Sequence, residues 1–94
     1  MADVPLEEMP ESELWDLLTD AVGSYKAEVF DQLAFRHRER GEHLQSASLW
    51  EQSATENLSV DNFKYAAQAK YRQGMAFGAA EVFDQALDCF IQAA

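Results

Sequence analysis

The sequence predicts an all-α protein, built as an array of about five antiparallel helices. Three observations support this prediction. The 94 residues include 48% hydrophobic and 12% aromatic residues, enough for one packed domain. Only two prolines and four glycines interrupt the chain, which leaves room for long helices. Apolar residues recur at spacings of three and four, the period of an amphipathic helix, and few segments show the alternation of a strand.

The N-terminal part is predicted to be an acidic tail followed by a short amphipathic helix. Residues 1–10 are acidic and contain both prolines, and they are interpreted as the tail. A helix is predicted over residues 11–24, because it follows Pro10 and acidic side chains in a first turn favour the helix dipole. Gly23 is the predicted end or bend of this helix. Its apolar stripe, with Trp15 beside it, is made of Leu14, Leu17, Leu18 and Ala21.

Four further helices are predicted to form two hairpins. Gly41 is the predicted stop after the second helix, and the segment 57–62 is the clearest interior break, with Asp61 as a cap. Gly78 is predicted to form the last turn. The predicted helices cover approximately residues 25–40, 42–57, 62–77 and 79–94. The resulting single domain, its first hairpin and its second hairpin span residues 11–94, 25–58 and 61–94.

Small and aromatic residues alternate in the segment 74–93 at a recurrent spacing. The small positions, followed by the aromatic ones, are Gly74, Ala86, Ala93, Phe77, Phe83 and Phe90. Small residues let two antiparallel helices approach, and aromatic rings fill the spaces between them. This segment resembles the tetratricopeptide-repeat family, with residues 67–94 as one good repeat. The resemblance implies a right-handed array of helical hairpins and a function in binding other proteins.

Residues 27–60 resemble a degenerate copy of the same repeat. Its aromatic, leucine, small and aromatic positions are Phe30, Leu33, Ala34 and His37. The interval from Ala34 to Gly74 is 40 residues, whereas the family period is about 34. Another small helical bundle, including a three-helix trafficking module, is the alternative, since any antiparallel bundle places small residues opposite aromatic ones.

The hexapeptide AEVFDQ occurs twice, at residues 27–32 and 80–85. The repeat phasing places the first copy on the first helix of a hairpin and the second copy on a second helix. Duplication and similar packing needs both explain such a pair, and the sequence leaves the two explanations open.

The net charge of −10 indicates which partners the protein disfavours. Residues 1–25 contain seven acidic residues and no basic one. Such a chain is repelled by nucleic acid and by anionic membranes, so neither is expected as a partner. A protein or peptide partner is predicted instead.

The compartment is predicted to be the cytoplasm. The chain has one cysteine, which suits a reducing environment. Its N-terminus lacks the features of a signal peptide, and no apolar run approaches the length of a membrane span.

No residue pattern predicts catalysis, a cofactor or a metal site. His37 and His43 are six residues apart, which is neither a helical i, i+4 pair nor a compact zinc spacing. No basic residue lies near Cys89 in the sequence, so Cys89 is interpreted as a small packing residue. The protein is therefore predicted not to be an enzyme.

The family resemblance implies a binding groove lined by the first helix of each hairpin. Carried over by position, the groove residues on the two helices are Glu28, Asp31, Phe35 and Arg38, then Gln68, Tyr71, Arg72 and Met75. The residues predicted to contact the partner are Phe35, Arg38, Gln68, Tyr71, Arg72 and Met75. Some family members bind chaperone C-terminal carboxylates through a clamp of lysine, asparagine and arginine in the groove. The corresponding places here are Asp31, Phe35, Tyr71 and Met75, and none is an asparagine or a lysine, so that activity is not expected.

Two further surfaces are candidates for binding. The acidic segment 12–20 resembles a short docking motif, formed by Leu14, Trp15, Leu17 and Leu18, although a capping helix for the first hairpin is the favoured interpretation. An apolar C-terminal edge around Phe90 and Ile91 predicts further repeats or a homodimer. The alternative function is a small acidic chaperone or inhibitor that masks a basic client surface.

Overall fold

The computed structural model describes residues 4–94, and every regular element in that range is helical. A short 3-10 turn, Leu6–Glu8, precedes five α-helices. These are α1 (Glu11–Leu17), α2 (Gly23–Glu39), α3 (His43–Ser59), α4 (Phe63–Ala79) and α5 (Phe83–Ala93). Each helix packs on the next one in chain order. The predicted all-α helical array is therefore confirmed. Residues 1–3 of the predicted tail lie outside the described residues.

The four main helices begin at a regular interval. The helices α2, α3 and α4 have 17 residues each, and three-residue turns separate them from their successors. Helix starts therefore recur at residues 23, 43, 63 and 83. Two helices and two turns make a unit of 40 residues, which equals the interval noted between Ala34 and Gly74. This unit is about six residues longer than a tetratricopeptide repeat.

The three turns share one geometry. Their central residues, Gly41, Asp61 and Glu81, have φ values of 78°, 57° and 64°. In each turn the next amide donates a hydrogen bond to the carbonyl five residues earlier, at 2.8 to 2.9 Å. This is the Schellman arrangement, in which one left-handed residue ends a helix and satisfies its last carbonyl groups. The predicted turn at Gly78 is wrong, because Gly78 lies within α4 and Glu81 supplies the left-handed residue.

The repeated hexapeptide AEVFDQ adopts two conformations. Residues 27–32 are helical throughout, within α2. Residues 80–85 instead form the turn before α5 and its first three residues. The second copy therefore does not lie wholly on a helix, as the repeat phasing predicted.

The core lies between α1, α2, α3 and α4. Its buried apolar residues include Leu14, Val29, Leu33, Ala34, Ala47, Leu49, Trp50 and Ala54. Alanines at the α2–α3 contact allow close approach, and Ser46 Oγ donates a hydrogen bond of 2.9 Å to the carbonyl of Ala34. A buried hydroxyl is thus satisfied by the neighbouring helix.

The N-terminal segment is packed more closely than a tail. Leu6 and Met9 pack against the core, and the Arg36 guanidinium donates a hydrogen bond of 3.2 Å to the carbonyl of Leu6. The helix predicted over residues 11–24 ends at Leu17, and α2 begins already at Gly23. The acidic N-terminal segment therefore lies along α2.

Candidate functional site

All six predicted partner-binding residues line one open groove. The groove has a volume of about 670 Å³. Its walls are α2, α4 and the end of α5. Its lining residues are Phe35, Arg38, Ala67, Gln68, Tyr71, Arg72, Met75, Phe90, Ala93 and Ala94. Residues three, four and seven apart share one face of a helix, which explains why Gln68, Tyr71 and Met75 face the groove together. That the groove binds a partner remains a prediction.

The floor of the groove contains Phe35 and Arg72, which both contact the buried Trp50 ring of α3. Phe35 and Trp50 meet edge to face, with ring centres 4.9 Å apart. The guanidinium carbon of Arg72 lies 5.2 Å from the centre of each ring. Such contacts between a cation and aromatic faces restrict the side chain. Arg72 is therefore positioned by α2 and α3, although it belongs to α4.

The outer wall of the groove exposes large apolar side chains. Tyr71, Met75 and Phe90 have 54%, 46% and 36% of their surface exposed. The rings of Tyr71 and Phe90 lie against each other, with centres 5.4 Å apart. Aromatic and methionine side chains grouped around a concavity are typical of protein-binding surfaces.

A smaller side cavity opens beside the groove. It has a volume of about 150 Å³ and shares Arg38, Arg72 and Met75 with the groove. The side cavity is also lined by His43 and Ser46. The Nδ1 atom of His43 is buried and has no hydrogen-bond partner among residues 4–94. A buried polar atom without a partner costs about 1–3 kcal/mol, so this position favours a polar ligand atom.

The opposite end of the groove carries carboxylates. A cavity of about 470 Å³ there, which we call the acidic end, is lined in part by Glu28, Asp31, Gln68 and Arg72. Burial raises the pKa of Asp31 from 3.8 to about 6, although a hydrogen bond from Ser53 and the charge of Arg72 oppose this rise. Arg72 lines both ends of the groove, so the ends differ in charge through Arg38 at one end and through Glu28 and Asp31 at the other.

The predicted N-terminal docking motif lies mostly against the core. Leu14 is 0% exposed, and Leu17 and Leu18 are partly buried against the same core. Of the four residues only Trp15 is exposed, at 44%. This placement favours the interpretation of α1 as a cap on α2.

His37, His43 and Cys89, the residues considered for a metal site or for catalysis, lie in different surroundings. His37 Nδ1 lies 2.7 Å from a carboxylate oxygen of Glu42, whereas His43 lines the side cavity. Burial raises the pKa of the Cys89 thiol, which lowers the fraction of reactive thiolate. Within residues 4–94, no group of three His, Cys, Asp or Glu side chains is arranged to hold a metal ion. In the same range, no helix combines the length and the apolar character needed to cross a bilayer.

Sequence reasoning missed three residues of the site. Trp50 and His43 are not among the residues predicted to bind a partner, and Phe90 is predicted only as part of an apolar edge. The regular 20-residue interval would have been the signal, since it places Trp50 and Phe90 at corresponding positions of α3 and α5.

Comparison of the chain with protein-family models, curated proteins and solved structures finds no match. A functional conclusion therefore depends on the geometry of the groove and of its two ends.

Proposed function

We propose that the protein is a non-catalytic, tetratricopeptide-like interaction module of the cytoplasm, which captures a peptide or helix of another protein in the groove between α2 and α4. The observation that supports this proposal is the grouping of exposed Tyr71, Met75 and Phe90 around one concave surface. The single free cysteine, which is buried, suits a reducing compartment.

The size of the groove suits a small number of anchoring side chains. Burying one large apolar side chain contributes about 1.5–3 kcal/mol, and micromolar binding corresponds to about 8 kcal/mol. A few apolar anchors therefore suffice for micromolar affinity only if the groove is already formed, because ordering a flexible surface costs free energy. The contacts among Phe35, Trp50 and Arg72 supply such pre-organisation.

A comparison of two double variants tests this proposal. Tyr71→Ala with Met75→Ala removes two exposed groove side chains. Leu44→Ala with Leu58→Ala removes two exposed side chains of α3 that do not line the groove. Each immobilised protein is incubated with cell lysate, and bound proteins are quantified by mass spectrometry. Partners should be lost from the groove variant and retained by the control; equal retention by both contradicts the proposal.

The alternative function, masking of a basic client surface, is favoured by a different observation. Exposed acidic side chains are concentrated in the N-terminal segment. They are Glu7, Glu8, Glu13, Asp16 and Asp20. Charge attraction between exposed groups is screened over about 10 Å at 0.1 M salt. Elution of the bound proteins at low salt would favour masking, whereas retention at 0.5 M salt would favour apolar capture in the groove.

A further inference from the structure

Two guanidinium groups line the groove without a direct ion pair to another described residue, although Arg72 lies close enough to Asp31 for its charge to lower the pKa of that carboxyl. Among residues 4–94, neither Arg38 nor Arg72 forms an ion pair, whereas Lys26 and Arg40 do. In a chain of net charge −10, both cations line one small cavity that has no Asp or Glu among its described lining residues. They make the side cavity a local positive region within an acidic protein.

The side cavity adds a polar atom that lacks a partner. His43, whose Nδ1 atom is buried without a partner among residues 4–94, lines the same space as Arg38 and Arg72. At about 150 Å³ the cavity is several times the 10–15 Å³ that one water requires by the same measure. A carboxylate group with bridging water matches this volume, and its oxygens accept hydrogen bonds from guanidinium donors.

The acidic end favours a basic group of the partner, whereas the side cavity favours an acidic one. Asp31 and Glu28 lie on α2, about one and two turns closer to its N-terminus than Phe35. Asp31 is partly buried, and a cation brought near it would offset the desolvation of its carboxylate. A basic side chain is thus the complementary group at this end.

We infer that the groove reads opposite charges along an extended peptide of its partner, with an acidic side chain in the side cavity and a basic side chain at the acidic end. This inference rests on the proposed function. Asp31 and Arg38 are seven residues apart on α2, which corresponds to about 10 Å. An extended peptide advances about 3.3 Å per residue, so the acidic and basic residues are about three positions apart. Apolar side chains between them face Tyr71, Met75 and Phe90.

Selection from a displayed library of random twelve-residue peptides tests this inference. The full chain serves as bait, beside Arg38→Gln and a control, Lys64→Gln, which removes an exposed cation of α4 outside the groove. Peptides enriched on the parent should combine apolar residues with an acid and a base about three positions apart. The control should give the same peptides, and Arg38→Gln should lose the acidic preference while keeping the apolar one.

Synthetic peptides then measure how strongly the acidic residue of the peptide interacts with Arg38. Replacing the acidic residue of an enriched peptide by glutamine should weaken binding to the parent about three- to tenfold, in the range of partly exposed charge pairs. The same replacement should have little effect on binding to Arg38→Gln. Equal losses on both proteins would overturn the inference.

The selection separates failure of the inference from failure of the proposed function. If the enriched peptides are apolar but show no preference for an acidic residue, the inference about charge recognition is overturned and the proposal that the groove binds a peptide stands. No enrichment on the parent overturns both. A chain that sediments as a dimer, and becomes a monomer on Tyr71→Ala, would place a second copy in the groove and also overturn the inference.

Discussion

Phe90 of α5 lies directly across the backbone of Gly74 in α4. A Cβ atom on Gly74 would come within 2.6 Å of Phe90 Cε1, closer than any relaxed side chain allows. The glycine therefore determines how near α5 approaches α4. It also sets the position of Phe90, whose ring contacts Tyr71 at the groove.

The first prediction compares two glycines of the same helix. Gly74→Ala should destabilise the protein by about 1–2 kcal/mol, because overpacking outweighs the better helix propensity of alanine. Gly78→Ala should stabilise it by about 0.5–1 kcal/mol, since a Cβ there meets no atom within 4 Å. Urea unfolding followed by circular dichroism measures both. Changes of the same sign would contradict the packing of Phe90 on Gly74.

The second prediction concerns Asp31 and pH. Because its pKa is about 6 in the folded protein and about 4 when unfolded, the folded state binds more protons between these values. This residue's contribution to stability is therefore greatest at low pH and decreases as pH rises through 4 to 6. The full change is about 2–3 kcal/mol.

Asp31→Asn should consequently raise stability at pH 7.5 and flatten this part of the pH profile. The measurement is urea unfolding at a series of pH values, together with a carbon NMR titration of the parent carboxyl. Ser53→Ala removes the hydrogen bond that lowers the pKa of Asp31. The titration midpoint should therefore rise in that variant; a fall would contradict the assigned cause.

The third prediction concerns the guanidinium group on the groove floor. Arg72→Met keeps the length of the side chain but loses its contacts with the Phe35 and Trp50 rings. We expect a loss of about 0.5–1 kcal/mol in unfolding free energy, the range for an exposed cation–π contact. The same change should raise the pKa of Asp31 further, because the charge of Arg72 lowers it. An unchanged carboxyl titration would show that the two side chains are not coupled.

The fourth prediction concerns the left-handed turn residue Glu81. A side chain with a Cβ atom is strained at φ 64°, whereas glycine is not. Glu81→Gly should therefore raise the unfolding free energy by about 0.5–1 kcal/mol. Glu81→Ala keeps the Cβ atom and serves as the control, with a much smaller change expected. Thermal unfolding of the two variants side by side gives the comparison, and equal shifts would contradict the strain.

The sequence predicted much of the helical architecture, because apolar periodicity and interior breaks are local signals. Gly41 lies in the predicted turn for this reason. The prediction of Asp61 as the cap of α4 is wrong, because Asn62 is the N-cap residue and Asp61 is the left-handed residue of the turn. The last turn was misplaced because Gly78 carries the expected residue type, whereas Glu81 does not. Its left-handed conformation follows from the length that α4 needs to pack on α3, which is a tertiary requirement.

The groove residues were predicted by position, but the cavities at its ends were not. Phe35 and Tyr71 were predicted from the positions that the family resemblance implies. The orphaned His43 nitrogen and the raised pKa of Asp31 depend on which side chains from α3 and α4 surround them. Such burial is set by three helices together, and no local pattern in the sequence encodes it.

The two conformations of AEVFDQ show that these six residues do not by themselves determine where a helix ends. The same letters continue a helix in α2 and contain the left-handed turn before α5. Their surroundings therefore select the conformation, and the boundary between α4 and α5 is set by packing with the rest of the chain.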